Sequence, residues 1–211
     1  MDRKTKILSL SLGVALILCG CLDLKQPRSR IQYYTLEYGT PPMSGLKPIP
    51  FVVKVGRFSI APAYNTNRII YRDGPFKRDE YLYYKWRSNP ADMITYSLSR
   101  DMKRSGLFKA VLPYDSLVPF SYTLEGSVDR FFEANLENGW DAVLGLSIIL
   151  MEENEPDVSK KIVFQKTYSV KKACKQKNPA GLAAAMSRAM EEVSGKIIRD
   201  VHLSLKDRVE M

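Results

Sequence analysis

Three cysteines, one histidine and adjacent carboxylate pairs such as Glu152-Glu153 and Glu191-Glu192 have the widest chemical repertoire in this 211-residue chain. A thiolate nucleophile needs a lowered pKa. Cys174 lies among Lys171, Lys172 and Lys175, cations that would favour the thiolate, but no base stands near it in the sequence. His202 is the single histidine, and no Cys/His set has the spacing of a zinc site. Glu152-Glu153 and Glu191-Glu192 fall in a polar connection and on the charged face of a helix, where solvation explains them. The chain contains no Gly-rich phosphate loop, no Gly-x-Ser-x-Gly elbow and no His-Glu-x-x-His. These residues predict no catalytic centre, no metal and no cofactor, and favour a binding or scaffolding module over an enzyme.

Cys21 is the exception. Arg3, Lys4 and Lys6 precede an uncharged run from Ile7 to Leu18, the pattern of a signal-peptide n-region and h-region. The run is too short to cross a bilayer, which takes about 20 apolar residues. Leu18-Cys19-Gly20-Cys21 then resembles the bacterial lipobox, in which cleavage before the last cysteine leaves its thiol acylated. The expected organisation is a lipoprotein signal over 1–20, a lipidated N-terminus and tether over 21–32, one domain over 33–206, and a polar tail over 207–211. Leu22, not aspartate, follows Cys21, which by the enteric sorting pattern points to the outer membrane, facing the periplasm. With Cys19 removed and Cys21 blocked, Cys174 would have no disulfide partner, so the hydrophobic core must hold the domain.

The formal charge is +9, of which the signal carries a net +2, leaving about +7. That balance suits an anionic membrane surface or an acidic partner. Export, with no helical run of Lys/Arg, argues against nucleic acid.

Hydrophobic periodicity predicts an α+β domain: a mainly antiparallel sheet with two amphipathic helices packed on one face. Strands are expected at Tyr33–Leu36, Phe51–Val55, Asn67–Arg72 and Tyr81–Trp86, with Asp73-Gly74-Pro75 turning between the last two. Thr40–Pro50, with four prolines, reads as a loop, and Gly56 as a bulge or close backbone approach. A meander follows, from the alternations Phe120/Tyr122/Leu124/Val128, Trp140 through Leu150, and Ile162/Phe164/Tyr168/Val170. Glu133–Gly139 and Glu152–Lys160 are read as its polar connections. Asn89-Pro90 and Asn178-Pro179 each have an N-cap followed by proline at N1. The first predicts a helix with Ile94, Leu98 and Met102 inward, ending at Gly106. The second predicts a longer one with Leu182, Met186, Met190, Val193, Ile197 and Val201 inward.

Several segments resemble the ABC-transport auxiliary lipoproteins, the PqiC-like group that accompanies MCE-domain lipid transport systems. They are Tyr33-Tyr34-x-Leu36, then Val53-x-Val55-Gly56-x-Phe58-x-Ile60-x-Pro62-x-Tyr64, Ile69-Ile70-Tyr71-Arg72, Tyr84-Lys85-Trp86 with Pro90, and Ser105-Gly106-Leu107-Phe108. Asn65-Thr66-Asn67-Arg68 replaces the family's usual Leu-Asp-Arg, and Arg87-Ser88-Asn89 stands where an acidic residue is common. The resemblance implies a non-catalytic component meeting an MCE tunnel protein at the outer membrane, with an ABC permease and ATPase powering the transport. A general envelope scaffold or assembly factor, and a periplasmic lipid carrier with its own cavity, are the competing readings. The expected fold is also similar to the N-terminal domain of TolB.

Tyr, Trp and Arg dominate interface hot spots, and they crowd between Tyr64 and Arg87. Strand alternation puts Leu82, Tyr84 and Trp86 on one face and Tyr81, Tyr83 and Lys85 on the other. With the first face on the core, Tyr81 and Tyr83, joined by Arg57 and Arg72, form the expected surface for the MCE tunnel or for a second copy of the chain.

Overall fold

The computed structural model describes residues 30–208. Nine strands among them form one curled, mixed sheet. They are β1 (Gln32–Tyr34), β2 (Ile49–Val55), β3 (Ser59–Ile60), β4 (Arg68–Asp73), β5 (Arg78–Trp86), β6 (Phe108–Leu112), β7 (Tyr122–Leu136), β8 (Gly139–Glu152) and β9 (Ile162–Ala173). The helices are α1 (Pro90–Ser105), α2 (Val158–Lys161) and α3 (Pro179–Lys206). Cys21 and the expected signal lie outside the described residues.

The antiparallel expectation holds for the meander β7–β8–β9 and the β4–β5 hairpin. The other pairings are parallel: β1 with β5, β2 with β6, and β2, β3 and β4 in succession along the free side of β7. Sequence periodicity does not report strand direction, so a mixed sheet reads like an antiparallel one. β7 is thus the spine. Its first residues meet β2, its middle meets β3, and Glu133, Ala134 and Asn135 near its end meet β4.

Both long helices start as their sequences require. The Asn89 side chain accepts from the Ala91 amide at 3.0 Å and the Asn178 side chain from the Gly181 amide at 2.7 Å, each followed by proline at N1. Gly106 closes α1 with φ 67°, the left-handed conformation glycine adopts without strain. Leu182, Met186, Met190, Val193, Ile197 and Val201 of α3 are all fully buried, packed on Leu144, Leu146, Ile148 and Leu150 of the unbroken β8 alternation.

Two predicted spans change. β7 runs to Leu136, so Glu133 is a buried strand residue rather than part of a polar connection. A bulge between Val128 and Arg130 breaks the period there. Beyond it both sheet faces are covered, Phe131 meeting Trp86 (centroids 5.1 Å) and Phe132 stacking on Tyr64 (5.8 Å). Ile162, expected inward, is 47% exposed because the register of β8 and β9 shifts at that end.

Residues 36–48 form a strap along α3. The Glu37 amide donates to Ser187 Oγ (3.0 Å), Pro41 and Met43 lie over Gly195, and Lys47 O lies 2.7 Å from His202 Nε2.

Candidate functional site

The residues with catalytic potential are used structurally. His202 is buried beneath the strap. Glu152 pairs with Arg208, and Glu192 with Lys172 and Lys196. Cys174 is half-buried, and burial, with Glu133 and Asp141 adding to it, pushes its thiol up to about 11. The surrounding lysines therefore do not make it a thiolate. Among the described residues, no group of three or more His, Cys, Asp or Glu is placed to hold a metal ion.

One buried charge escaped the sequence reading. Asp101 on α1 is fully buried and accepts from Tyr38 Oη (2.8 Å), Ser194 Oγ (2.7 Å) and Arg100 Nε (2.9 Å). The Arg100 guanidinium stacks 4.6 Å from the Tyr38 ring. Strap, α1 and α3 thus meet at one carboxylate.

The expected partner surface divides. The pairing of β4 with β5 jumps between Arg68–Lys85 and Ile70–Glu80, so β5 carries extra residues at that point. Tyr81 and Tyr84 therefore turn to the same side, with rings 5.6 Å apart, and Leu82 and Tyr83 both turn outward, 65% and 46% exposed. Plain alternation does not survive such a bulge. Tyr81 is a partly buried member of a row of rings with Tyr71 (4.8 Å) and Tyr84, which in turn meets Tyr34 (6.3 Å). Its hydroxyl donates to Glu133 Oε1 at 2.8 Å. Burial pushes the Glu133 carboxyl up to about 7, against the opposing effect of the Tyr81 hydrogen bond. Its other oxygen is buried without a partner.

Arg57 and Arg72 do not meet. Gly56 bonds to Leu124 of β7 and Arg72 lies opposite Ala134, so roughly 30 Å of strand separates the two arginines. Arg57 pairs with Asp92 in the first turn of α1 (2.9 Å). Arg72 stands on the sheet face away from the helices, 5.9 Å from the Phe132 ring, held by the carbonyls of Gly74 and Pro75. Tyr83 remains outward, its face shared with Lys85 and, across the β1 pairing, with Tyr33, over which Arg87 stacks at 5.6 Å.

What remains among the described residues is an exposed aromatic face. Residues 34–198 match the family described as ABC-type transport auxiliary lipoprotein component. The chain belongs to that family. The match runs from the end of β1 nearly to the end of α3 and includes every strand from β2 to β9.

Solved structures share the auxiliary lipoprotein's fold. A crystal structure of a protein from Xanthomonas campestris is 20% identical, with a TM-score of 0.76, covering 85% of this chain and 100% of its own. A crystal structure of an uncharacterized protein is 12% identical (TM-score 0.65, 82% and 99% covered). A hypothetical protein from Chlamydia trachomatis is 9% identical (TM-score 0.52, 73% and 96% covered). At these identities the likeness is one of fold. No curated protein matches the sequence. As an auxiliary lipoprotein the chain is a component of the cell envelope that serves ABC-type transport. Among the described residues, no helix is long and apolar enough to cross a membrane.

Proposed function

We propose that this auxiliary lipoprotein is held to the outer membrane by acyl chains on Cys21. There it docks the MCE tunnel protein of an ABC-powered lipid transport system, without catalysing a reaction itself. Family membership supplies the transport context. The observation that carries the docking role is the bulge in β5. It turns the consecutive side chains of Leu82 and Tyr83 out of the sheet beside Tyr33, leaving aromatic and aliphatic area exposed. A contiguous exposed apolar patch with an aromatic anchor and flanking cations, here Lys85 and Arg87, has the composition of an interface core. Arg57 and Tyr81, committed to Asp92 and Glu133, drop out of the surface.

Substituting Leu82→Ser together with Tyr83→Ala tests the docking. The double variant should keep its circular dichroism spectrum and lose co-purification with the MCE protein. Undiminished co-purification refutes the assignment of this patch. Mass spectrometry of the mature N-terminus tests the anchor separately: an unmodified Cys21 refutes it.

A further inference from the structure

The sheet face away from the helices ends, beside the β4–β5 and β7–β8 hairpins, in a hollow of about 290 Å³. Phe132 and Val143 form its apolar floor, and Arg72, Arg130 and Lys171 stand around it. No carboxylate lines it. The pairing register explains the arrangement. Phe132, Val143 and Lys171 are one cross-strand row, and Arg130, Gly145 and Ser169 are the next. Gly145 has no side chain, so Arg130 lies flat across it and reaches Ser169 Oγ at 3.1 Å. In the wall, Asn135 Oδ1 is buried with no protein partner.

The rim is apolar and open. Phe76 at the tip of the β4–β5 hairpin is 94% exposed, and Leu136 at the end of β7 is 55% exposed. The two hairpins adjoin, since Asp73 lies opposite Asn135. Lys77 and Arg78 follow Phe76. The nearby carboxylates are Asp73, Asp79, Asp141 and Glu137, which is exposed in the β7–β8 turn, and Asp79 is turned to the amide of Glu80. Exposed large apolar side chains beside a cluster of cations are the composition of a membrane-interface contact: the apolar groups enter the acyl boundary while the cations meet anionic headgroups.

The direction of the chain supports the same orientation. β1 runs parallel to β5, with Gln32 opposite Tyr84, so it travels away from the hairpin where β5 begins. The chain therefore enters β1 from its hairpin side. From Tyr84 back to Arg78 is about 20 Å of strand, and the ten residues from Cys21 to Arg30 reach at most roughly 35 Å. An anchor at Cys21 is long enough to bring this end to the bilayer.

We infer that the hairpin end docks on the anionic phospholipid surface of the membrane. Phe76 and Leu136 sit at the acyl boundary, and the hollow takes a lipid phosphate between Arg72, Arg130 and Lys171. The inference deepens the anchored-component reading and rests on it for orientation. Its test removes the anchor. The mature chain from residue 21 carrying Cys21→Ser is floated with vesicles of phosphatidylcholine alone, or with phosphatidylglycerol making up about a quarter. Binding to the anionic vesicles should be about tenfold tighter and should be lost near 0.5 M salt, where the Debye length falls to a few Å. Arg72→Gln with Lys171→Gln, and separately Phe76→Ser, should each weaken it about fivefold with circular dichroism unchanged. Leu117→Ser, 98% exposed in the loop before β7 at the opposite end of that strand, should have no effect. Equal binding to both vesicle types, full binding by the hairpin-end variants, or loss of binding only in Leu117→Ser would each overturn the inference. An unacylated native Cys21 would defeat the anchor reading and leave the vesicle result standing.

Discussion

Tyr81 and Glu133, 52 residues apart in sequence, are joined by a 2.8 Å hydrogen bond in which the phenol donates to a buried carboxyl. Burial holds that carboxyl at about 7, above its ordinary 4.5. An acid whose pKa is raised on folding stabilises the fold fully below the unfolded value, and the contribution is lost as pH rises through the folded one. Wild-type stability should therefore fall relative to Glu133→Gln between pH 4.5 and 7. At 1.36 kcal/mol per pKa unit, the difference should approach about 3 kcal/mol. Urea unfolding of both proteins across this range measures it. A difference that does not vary with pH would mean that Glu133 is ionised in the fold.

Asp101 should be the least replaceable polar side chain. Asp101→Ala strands the hydroxyls of Tyr38 and Ser194 and the guanidinium of Arg100 together. Removing one partner of a buried charge network costs about 3–5 kcal/mol. Tyr38→Phe, which leaves the carboxylate its other two donors, should cost only about 1 kcal/mol. Chemical denaturation of the two variants gives the ratio directly.

Gly126 has a tight neighbour. A Cβ there would come within 2.5 Å of the Phe58 ring, which is itself buried and fixed by the Phe58 amide donating to Thr95 Oγ1 at 3.0 Å. Gly126→Ala should destabilise by about 1–3 kcal/mol, as overpacking does. Gly126→Ala combined with Phe58→Leu should recover part of the loss. A single variant as stable as wild type would show that the ring moves freely.

The α3 stripe makes a simpler prediction. Met190→Ala and Ile197→Ala, at fully buried sites over β8, should each lower stability by about 2–5 kcal/mol. Losses below about 0.5 kcal/mol at both would mean that the helix does not pack on the sheet.

What the sequence made legible follows from how local the signal is. The course of α3 was readable because one cap, one N1 proline and one uninterrupted 3.6-residue period specify it. β8 was readable because its period of two never breaks. β5 and β7 were misread at their bulges, where inserted residues move side chains to the other face without any change in composition: Tyr81 turned in, Tyr83 stayed out, and Glu133 passed from expected loop to buried strand. Parallel pairing left no trace in either strand's own pattern. Asp101 resembled any helical aspartate, since its partners Tyr38 and Ser194 lie 63 and 93 residues away. The four residues expected to form one contact surface do not lie together, because Arg57 and Arg72, near in sequence, stand beside opposite stretches of β7.

The parallel docking of β1 on β5 sets how the domain carries mechanical load. Tension applied from the N-terminal side acts along the strand axis, so the backbone hydrogen bonds of Gln32–Tyr34 and the bond from the Arg87 amide to Tyr34 O (2.7 Å) are sheared together rather than unzipped one at a time. Behind them in series come Leu36 in the core and the clasp of Tyr38 on Asp101. If the domain is anchored and docked as proposed above, a pull between membrane and partner would run along this line, and the first few residues of β1 would act as the fastening that takes the strain before the core does.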